Sequence, residues 1–366
     1  MTNVKQPRSL RASMGAAAAA SVIGALAAAP AHAKDAGLTP IRDIIVTGER
    51  QKANPYADPE APYKVDRSAS GKFTEPLADT PKSISILPKE AIKDLGATSF
   101  RDIARTQPGV TLGTGEGGNA YGDRIFIRGF DARNDIYVDG VRDTGVGSRE
   151  TFAVEQIEIV KGPSSTFGGR GTTGGAANLV SKKPTDSNWG DIEATIGTDN
   201  TQRLTLDTNR KLTDDLTMRV NAMGHKSHIA GRDAVYNDRW GAAVALQYKP
   251  TDQLTLGADY YHLSTDELPD WGVPYDNAHN RPFDVRRDNF YGIVDRDFRK
   301  VFADIYTLNG EYRVSDALKI HGVLRYGQTG NAYVASAPER PNTTNANPNL
   351  WTVNANAKRR DAVTGS

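Results

Sequence analysis

Beyond Trp189 the apolar positions fall on every second residue. Leu216, Met218, Val220 and Ala222 alternate with Thr217, Arg219 and Asn221, and Leu254, Leu256, Ala258 and Tyr260 alternate with Thr255, Asp259 and Tyr261. The beat returns as Ala242, Val244, Leu246, Tyr248 and as Leu318, Ile320, Gly322, Leu324, Tyr326, the last set against Lys319, His321 and Arg325. A period of two places one set on each face of a strand, so this half of the chain predicts about seven strands of ~9–11 residues, each apolar on one face and wet on the other.

The connections sharpen that picture. Leu212-Thr213-Asp214-Asp215-Leu216, Pro250-Thr251-Asp252-Gln253-Leu254 and Val314-Ser315-Asp316-Ala317-Leu318 share one form. In each, a short oxygen-bearing side chain can bond the backbone just beyond it and close a tight reversal. Between them lie longer connections, His225–Arg239 and Leu263–Lys300. Short turns at one rim and long loops at the other suit an antiparallel barrel of the outer-membrane kind. A soluble sandwich or lipocalin-like barrel is the alternative, but it has no reason to segregate loop lengths.

Ahead of the strands, from Val65 to about Pro184, the pattern is mixed. Ser83–Leu87 reads as a strand, Pro88 starts a helix that Gly96 ends, and Thr98 or Ser99 caps a second helix stopped by Gln107-Pro108-Gly109. Strands are expected at Arg124–Ile127, Asp135–Val138 and Gln156–Val160, separated by glycine-rich loops at Gly113–Gly122 and Val141–Glu150. Neither the first loop nor Gly168–Gly175 is a phosphate loop, because both lack the Lys-Ser/Thr pair and the strand-loop-helix order.

The start of the chain reads as an address. Lys5, Arg8 and Arg11 precede an apolar run from Met14 to Ala29, and Ala31-His32-Ala33 is a signal-peptidase pattern, so the mature chain is expected to begin near Lys34. The run falls short of the ~20 residues that span a bilayer as a helix. Residues 34–63 are rich in Pro, Ala and charge and read as a tether. Its one apolar island is Asp43-Ile44-Ile45-Val46-Thr47-Gly48, either a segment that adds as a strand to a partner's sheet edge or an ordinary first strand. With about nine residues between Ala33 and Asp43, no signalling domain of ~50 residues fits ahead of it.

Composition narrows the function classes. The 366 residues carry 45 basic against 44 acidic groups, a net charge of +1, so no strong field holds nucleic acid. A hydrophobic share of 38% with a mean hydropathy of −0.53 is too polar for a helical membrane bundle and too apolar for wholesale disorder. Zero cysteines exclude disulfides, thiolate metal sites and cysteine nucleophiles. His225 and His228 have metal-like spacing but no third ligand nearby and read as loop residues, and no nucleophile–base pair or HExxH appears. Neither catalysis, nor a resident metal, nor a cofactor is expected.

In order and in local sequence the chain resembles a TonB-dependent outer-membrane siderophore receptor. Asp43–Gly48 looks like a TonB box. Asp79-Thr80-Pro81-Lys82-Ser83-Ile84, Ile127-Arg128-Gly129-Phe130 and Tyr137-Val138-Asp139-Gly140 resemble the plug domain. Most specific is Val154-Glu155-Gln156-Ile157-Glu158-Ile159-Val160-Lys161-Gly162-Pro163-Ser164-Ser165, followed by Gly174-Gly175-Ala176 and Asn178-Leu179-Val180-Ser181-Lys182-Lys183-Pro184. Leu268–Asp276 looks most like the catecholate-type branch.

The resemblance implies an α+β plug followed by the first strands of an incomplete transmembrane antiparallel β-barrel. The expected divisions are a signal peptide at 1–33, a tether at 34–63, the plug at 64–186 and a partial barrel at 187–366. It implies uptake of a ferric siderophore as cargo, driven by the TonB complex, in the outer membrane of a Gram-negative bacterium. The family's barrels close with twenty-two strands, so the sequence reads as a fragment of a longer receptor or a defective product. The cargo contacts it implies are Glu116, Asn119 and Tyr121 in one plug loop, Arg133 and Asn134, and Arg142 to Arg149 at the plug apex. The long loop adds Trp271, Tyr275, Phe283, Arg286, Arg287, Phe290 and Tyr291. Arg128 and Lys161, read as lying in plug strands, are expected to pair with barrel carboxylates later than Ser366. A passive porin needs neither box nor plug, and an exported β-rich hydrolase needs an acid/base set that is absent. A receptor for cobalamin or a glycan, or a non-functional fragment, remains the alternative.

Overall fold

A computed structural model describes residues 57–58, 61–113, 122–143, 145, 147–164, 172–341 and 351–365. The leader, the Asp43–Gly48 segment and the loop residues Glu116, Asn119 and Tyr121 lie outside the described residues.

Two short strands, β1 (Ala57–Asp58) and β2 (Ala61–Val65), pair and lead to β3 (Ser83–Pro88). Pro88 stands just before helix α1 (Lys89–Asp94) rather than in it, and Gly96 turns the chain out with a φ of +61°. Helix α2 (Phe100–Thr106) opens on a reciprocal cap in which the Ser99 hydroxyl accepts from the Asp102 amide and the Asp102 carboxylate accepts from the Ser99 amide at 3.0 Å.

Strands β4 (Val110–Leu112), β5 (Ile125–Ile127) and β6 (Phe130–Asp131) form a small antiparallel sheet. A second sheet joins β7 (Ile136–Val138), β8 (Val141–Arg142), β9 (Val154–Lys161) and β10 (Gly175–Ser181) to β3 in the order β3-β9-β10-β7-β8. β9 is buried along its length up to Lys161, as a central strand covered on both faces must be. One core gathers Leu87, Ile92, Phe100, Ile103, Ile125, Ile127, Ile136, Ile157 and Leu179 from these strands and both helices.

The motifs Ile-Arg-Gly-Phe and Val-Asp-Gly-Val have one structural meaning. Each is a two-residue hairpin turn with both central residues left-handed: Arg128 and Gly129 at φ +52° and +84°, Asp139 and Gly140 at +50° and +76°. Such turns match the twist of their strands, which is why glycine follows in both. Arg128 therefore lies in a turn and not in a strand, which corrects its expected placement.

The remaining strands are β11 (Trp189–Ile196), β12 (Gln202–Lys211), β13 (Leu216–His228), β14 (Tyr236–Thr251), β15 (Leu254–Glu267), β18 (Phe298–Ser315), β19 (Leu318–Pro341) and β20 (Trp351–Gly365), with a small hairpin, β16 (Tyr275–Asp276) and β17 (Arg281–Pro282), between the fifth and sixth. The eight long strands form one antiparallel sheet in sequence order where about seven were expected, and β20 pairs with β19 from Trp351 to Gly365. They are also longer than expected, up to 24 residues in β19. The ladder continues past the apolar band toward the long-loop rim, where the outer face turns polar at His262, Asp304 and Gln328, because backbone pairing does not depend on what the side chains meet.

The three short turns close at one rim as their chemistry predicts. Thr213 accepts from the amides of Asp215 and Leu216, Thr251 from those of Gln253 and Leu254, and Ser315 from that of Ala317. The sheet is inside out by the standard of a water-soluble protein. Ile192, Leu204, Leu256, Leu308, Leu324 and Val363 stand exposed on its outer face, whereas Thr217, Arg219, Asn221, Thr307 and Arg325 are buried on the inner one. His225 and His228 belong to β13, not to a loop; three residues apart in a strand they face opposite sides and cannot share a metal. Among the described residues no group of three or more His, Asp or Glu could hold a metal ion.

Candidate functional site

Glu155 and Lys182 belong to the segment that carries the sheet of short strands, and Arg219 and Asp207 to the wall of long ones. Arg219 is fully buried, with one guanidinium nitrogen 2.9 Å from Glu155 and another 2.8 Å from Asp207. It also donates to the Lys183 carbonyl and lies 4.9 Å from the Trp189 ring centre. Lys182 pairs with Asp207 at 2.8 Å and Lys89 with Glu155 at 3.0 Å, so the buried Glu155 and the half-buried Asp207 are shared among three cations. Burying a charge is tolerable only when it is paired in this way.

A second seam lies at the Val-Asp-Gly-Val turn. Arg325 of β19 donates to the Val138 carbonyl at 2.9 Å, and Lys183 sits between Asp139 at 3.8 Å and Asp259 of β15 at 2.9 Å. Between these contacts and Arg149 runs a cleft lined by Val138, Ala153, Leu179, Tyr261, Leu263 and Val301 among others. The wall thus grips the short-strand unit through polar inward residues that alternate with the apolar outward ones. Arg219, Glu155, Asp207 and Lys182 were not singled out from the sequence. Their signal was present, since Arg219 falls on the wet phase of β13 and Glu155 in the most specific motif, but alternation does not say what the wet face meets.

The residues expected to contact cargo divide into three groups. Arg133 is exposed and donates to Asp131 through Nε at 2.9 Å and Nη2 at 2.6 Å, and Arg124 shares the same carboxylate. Burial opposes the Asp131 charge, but the hydrogen bonds from Arg133 and Arg124 outweigh it and hold the carboxyl down at about 2. The pair of cations on one anion leaves a net positive, solvent-facing patch. Asn134 is exposed beside it, its carbonyl accepting from Arg142.

Arg142 and Arg149 are committed elsewhere. The Arg142 guanidinium donates to the Asn134 carbonyl, to Asp135 at 3.2 Å and to the Tyr137 hydroxyl at 2.8 Å, and lies 5.2 Å from the Tyr137 ring centre. Arg149, its side chain 12% exposed, bonds Asp123 at 3.1 Å, Asp143 at 2.8 Å and the Gly145 carbonyl. Burial pushes the Asp123 carboxyl up against the pull of Arg149. Arg149 thus serves as a strut of the 141–150 segment.

The long-loop residues are a third group. Tyr275, on β16, donates to Asn280 at 2.8 Å; Arg286 is exposed and pairs with Asp288; the Arg287 carbonyl accepts from Arg232; and Tyr291 accepts from Asn289. The Trp271 indole N–H is buried without an acceptor among the described residues. The loop is moored to its shorter neighbour by Arg232, which grips Asp270 with two nitrogens, and by the Asp233 amide donating to the Asp288 carbonyl. Among the described residues Arg133 and Asn134 bond within their own segment, to Asp131 and Arg142, and not to this loop.

Lys161 donates to Ser85 at 3.0 Å, and a side chain at Gly162 would meet the Arg128 guanidinium at 3.0 Å. Neither cation has a carboxylate partner among the described residues. Burial, with the like charge of Arg128 beside it, holds the Lys161 ammonium below its ordinary pKa.

Residues 76–176 match the family described as the TonB-dependent receptor plug domain. Among curated proteins, a probable TonB-dependent siderophore receptor, PiuA, of Acinetobacter baumannii is 40% identical over 77% of this chain and 39% of its own length. The catecholate siderophore receptor Fiu of Escherichia coli is 34% identical over 88% of this chain and 45% of its own. The crystal structure of PiuA superposes with a TM-score of 0.78 at 37% identity, covering 83% of this chain and 44% of that one. The closed form of Fiu gives 0.75 at 34% identity, covering 83% and 45%. The chain spans about two-fifths of the length of the curated relatives it matches.

Proposed function

The chain belongs to the TonB-dependent receptor family, and from that premise we propose that it forms the plug and part of the barrel wall of an outer-membrane receptor for ferric siderophores of the catecholate class. One observation carries the reading: a continuous antiparallel sheet turns its apolar side outward and its charged side onto a separately folded plug. That arrangement suits lipid on one side and a gated passage on the other. The two sheet edges, β11 and β20, have no partner among the described residues, and lipid does not tolerate open edges, so the reading requires further strands. The named specificities of PiuA and Fiu favour a siderophore over cobalamin or a glycan.

On this reading residues 64–186 are the plug and 187–366 belong to the wall. Asp43–Gly48 recruits the TonB partner by strand addition, and Arg133 with the loop cations Arg286 and Arg287 meets the anionic ferric complex, since guanidinium pairs with oxyanions. Trp271, Tyr275 and Tyr291 supply aromatic surface for catechol rings. Arg128 and Lys161 await carboxylates from strands outside those described. The chain's role is transport and not catalysis, with iron entering as cargo.

The test is uptake. A Gram-negative host stripped of its own catecholate receptors, expressing the complete locus that encodes these residues, should take up 55Fe presented as a ferric catecholate. It should lose that uptake when tonB is deleted or Ile45 is replaced by Pro, which removes a backbone donor from the box. Uptake indifferent to both changes overturns the proposal.

A further inference from the structure

Arg203, His225 and Arg239 are direct neighbours across β12, β13 and β14 on the inner face, and Thr265 of β15 extends the row. Among the described residues the anion they meet comes from the other side of the seam. Glu150, 1% exposed, places Oε2 at 2.8 Å from Arg203 and Oε1 at 2.7 Å from Arg239. Both arginine side chains are nearly nine-tenths buried or more, at 11% and 10% exposure.

The row holds more donor capacity than one carboxylate can use. Among the described residues the Arg239 Nε, the His225 Nδ1 and the Thr265 hydroxyl are buried without a partner, while the His225 Nε2 lies 3.0 Å from the Ser227 hydroxyl, which on donating to it leaves the proton on Nδ1. Buried polar groups are stabilised by partners, so the row can take more acceptor oxygen than Glu150 supplies. A cleft lined by Arg203, His225 and Arg239 also takes in Ile196, Leu204 and Lys226 from the opposite phase of the strands.

Glu150 itself is delivered by a short piece of backbone. Residues 149–151 lie against the start of α2, where the Phe100 amide donates to the Arg149 carbonyl at 2.9 Å and the Thr151 amide to the Thr98 carbonyl at 3.2 Å. Just before it, Arg149 holds the segment through Asp123 and Asp143.

We propose that Arg203, His225 and Arg239 form an oxyanion socket in the wall, filled at rest by Glu150 of the plug and taken by a carboxylate or catecholate oxygen of the cargo when segment 147–152 withdraws. Glu150 is thereby both latch and placeholder: it pins the plug to β12 and β14, and an incoming anion competes for the same two guanidinium groups. The identity of the cargo rests on the receptor reading; the socket and its competition do not.

The experiment uses the full chain refolded in detergent and sulfate as the probe anion, with chloride at equal ionic strength as the reference. In Glu150→Gln, amide exchange of 147–152 should quicken by about tenfold or more while β9 is unchanged. Sulfate at millimolar concentration should raise the melting temperature of Glu150→Gln above that in chloride, and should not do so in Glu150→Gln/Arg239→Gln. Unchanged exchange, or equal response to the two salts, overturns the proposal. Should Glu150→Gln fail to fold, the native chain decides: sulfate quickens exchange at 147–152 beyond the chloride reference if it competes with Glu150, and a flat response overturns the socket. No arm uses a siderophore, so failure here is distinct from failure of the uptake experiment.

Discussion

Replacing Arg219 by alanine would leave the buried Glu155 carboxylate and the half-buried Asp207 carboxylate with only Lys89 and Lys182 as cationic partners. Breaking a buried pair by removing one partner is strongly destabilising, so Arg219→Ala should cost about 3–5 kcal/mol, read from thermal unfolding of the refolded chain. Arg219→Lys should recover only part of that, because an ammonium cannot span both carboxylates in the plane a guanidinium uses. Lys161 gives the opposite case. Its ammonium is held below its ordinary pKa, first by burial and then by Arg128. A lysine depressed in the folded state destabilises below its folded pKa, and the penalty fades as pH rises toward the unfolded value. Within the plug alone, Lys161→Met should therefore melt higher than the native sequence at pH 7. The gap should close as pH rises toward about 10.4, the unperturbed lysine value. A gap that stays constant with pH would mean that the gain comes from packing and not from charge.

At the scale of elements, small local devices decide where each segment begins and ends. Helix α2 has seven residues, too few to stand without tertiary contacts, and its reciprocal cap satisfies amides that would otherwise be orphaned. Ser99→Ala should destabilise the plug by about 1 kcal/mol in urea unfolding without altering the slope, since one hydroxyl is lost and little new surface is exposed. The short turns of the wall obey the same logic through Thr213, Thr251 and Ser315, and these were legible from sequence because a turn's hydrogen bonds are made within a few residues. The upper ends of the strands were not legible. Alternation stops being informative once the outer face turns polar, so the connections expected at His225–Arg239 and Leu263–Lys300 shrink to residues 229–235 and 268–297.

For the whole molecule, the two kinds of sheet call for different surroundings. The plug encloses its own core of leucine, isoleucine and phenylalanine, drawn entirely from residues 87–179. The wall exposes its apolar face, with Ile192 at 70% and Leu324 at 64%, and leaves both sheet edges open among the described residues. Expressed separately in water, residues 65–184 should sediment as a soluble monomer and residues 187–366 should aggregate, because unpaired edges and contiguous apolar surface both promote association. A monodisperse 187–366 segment would place the wall among soluble β-domains.

The sequence by itself determined whatever depends on neighbours in the chain: the period-two strands, the Ser99 cap, the three oxygen-closed turns and the plug motifs, because each is a matter of backbone preference within a few residues. Arg133, placed at the plug apex by its resemblance to the family, takes a partner, Asp131, only two positions away. What only the tertiary structure decided is the use of the wet face. Glu155 and Arg219 are 64 residues apart, Glu150 and Arg203 are 53 apart, and Arg149 looked as free in sequence as Arg133 does. Alternation says that a side chain points inward. It cannot say whether water, cargo or a carboxylate from a distant strand is waiting there, because that is settled by how the plug seats against the wall, and a buried charge must take the partner that this seating brings within reach.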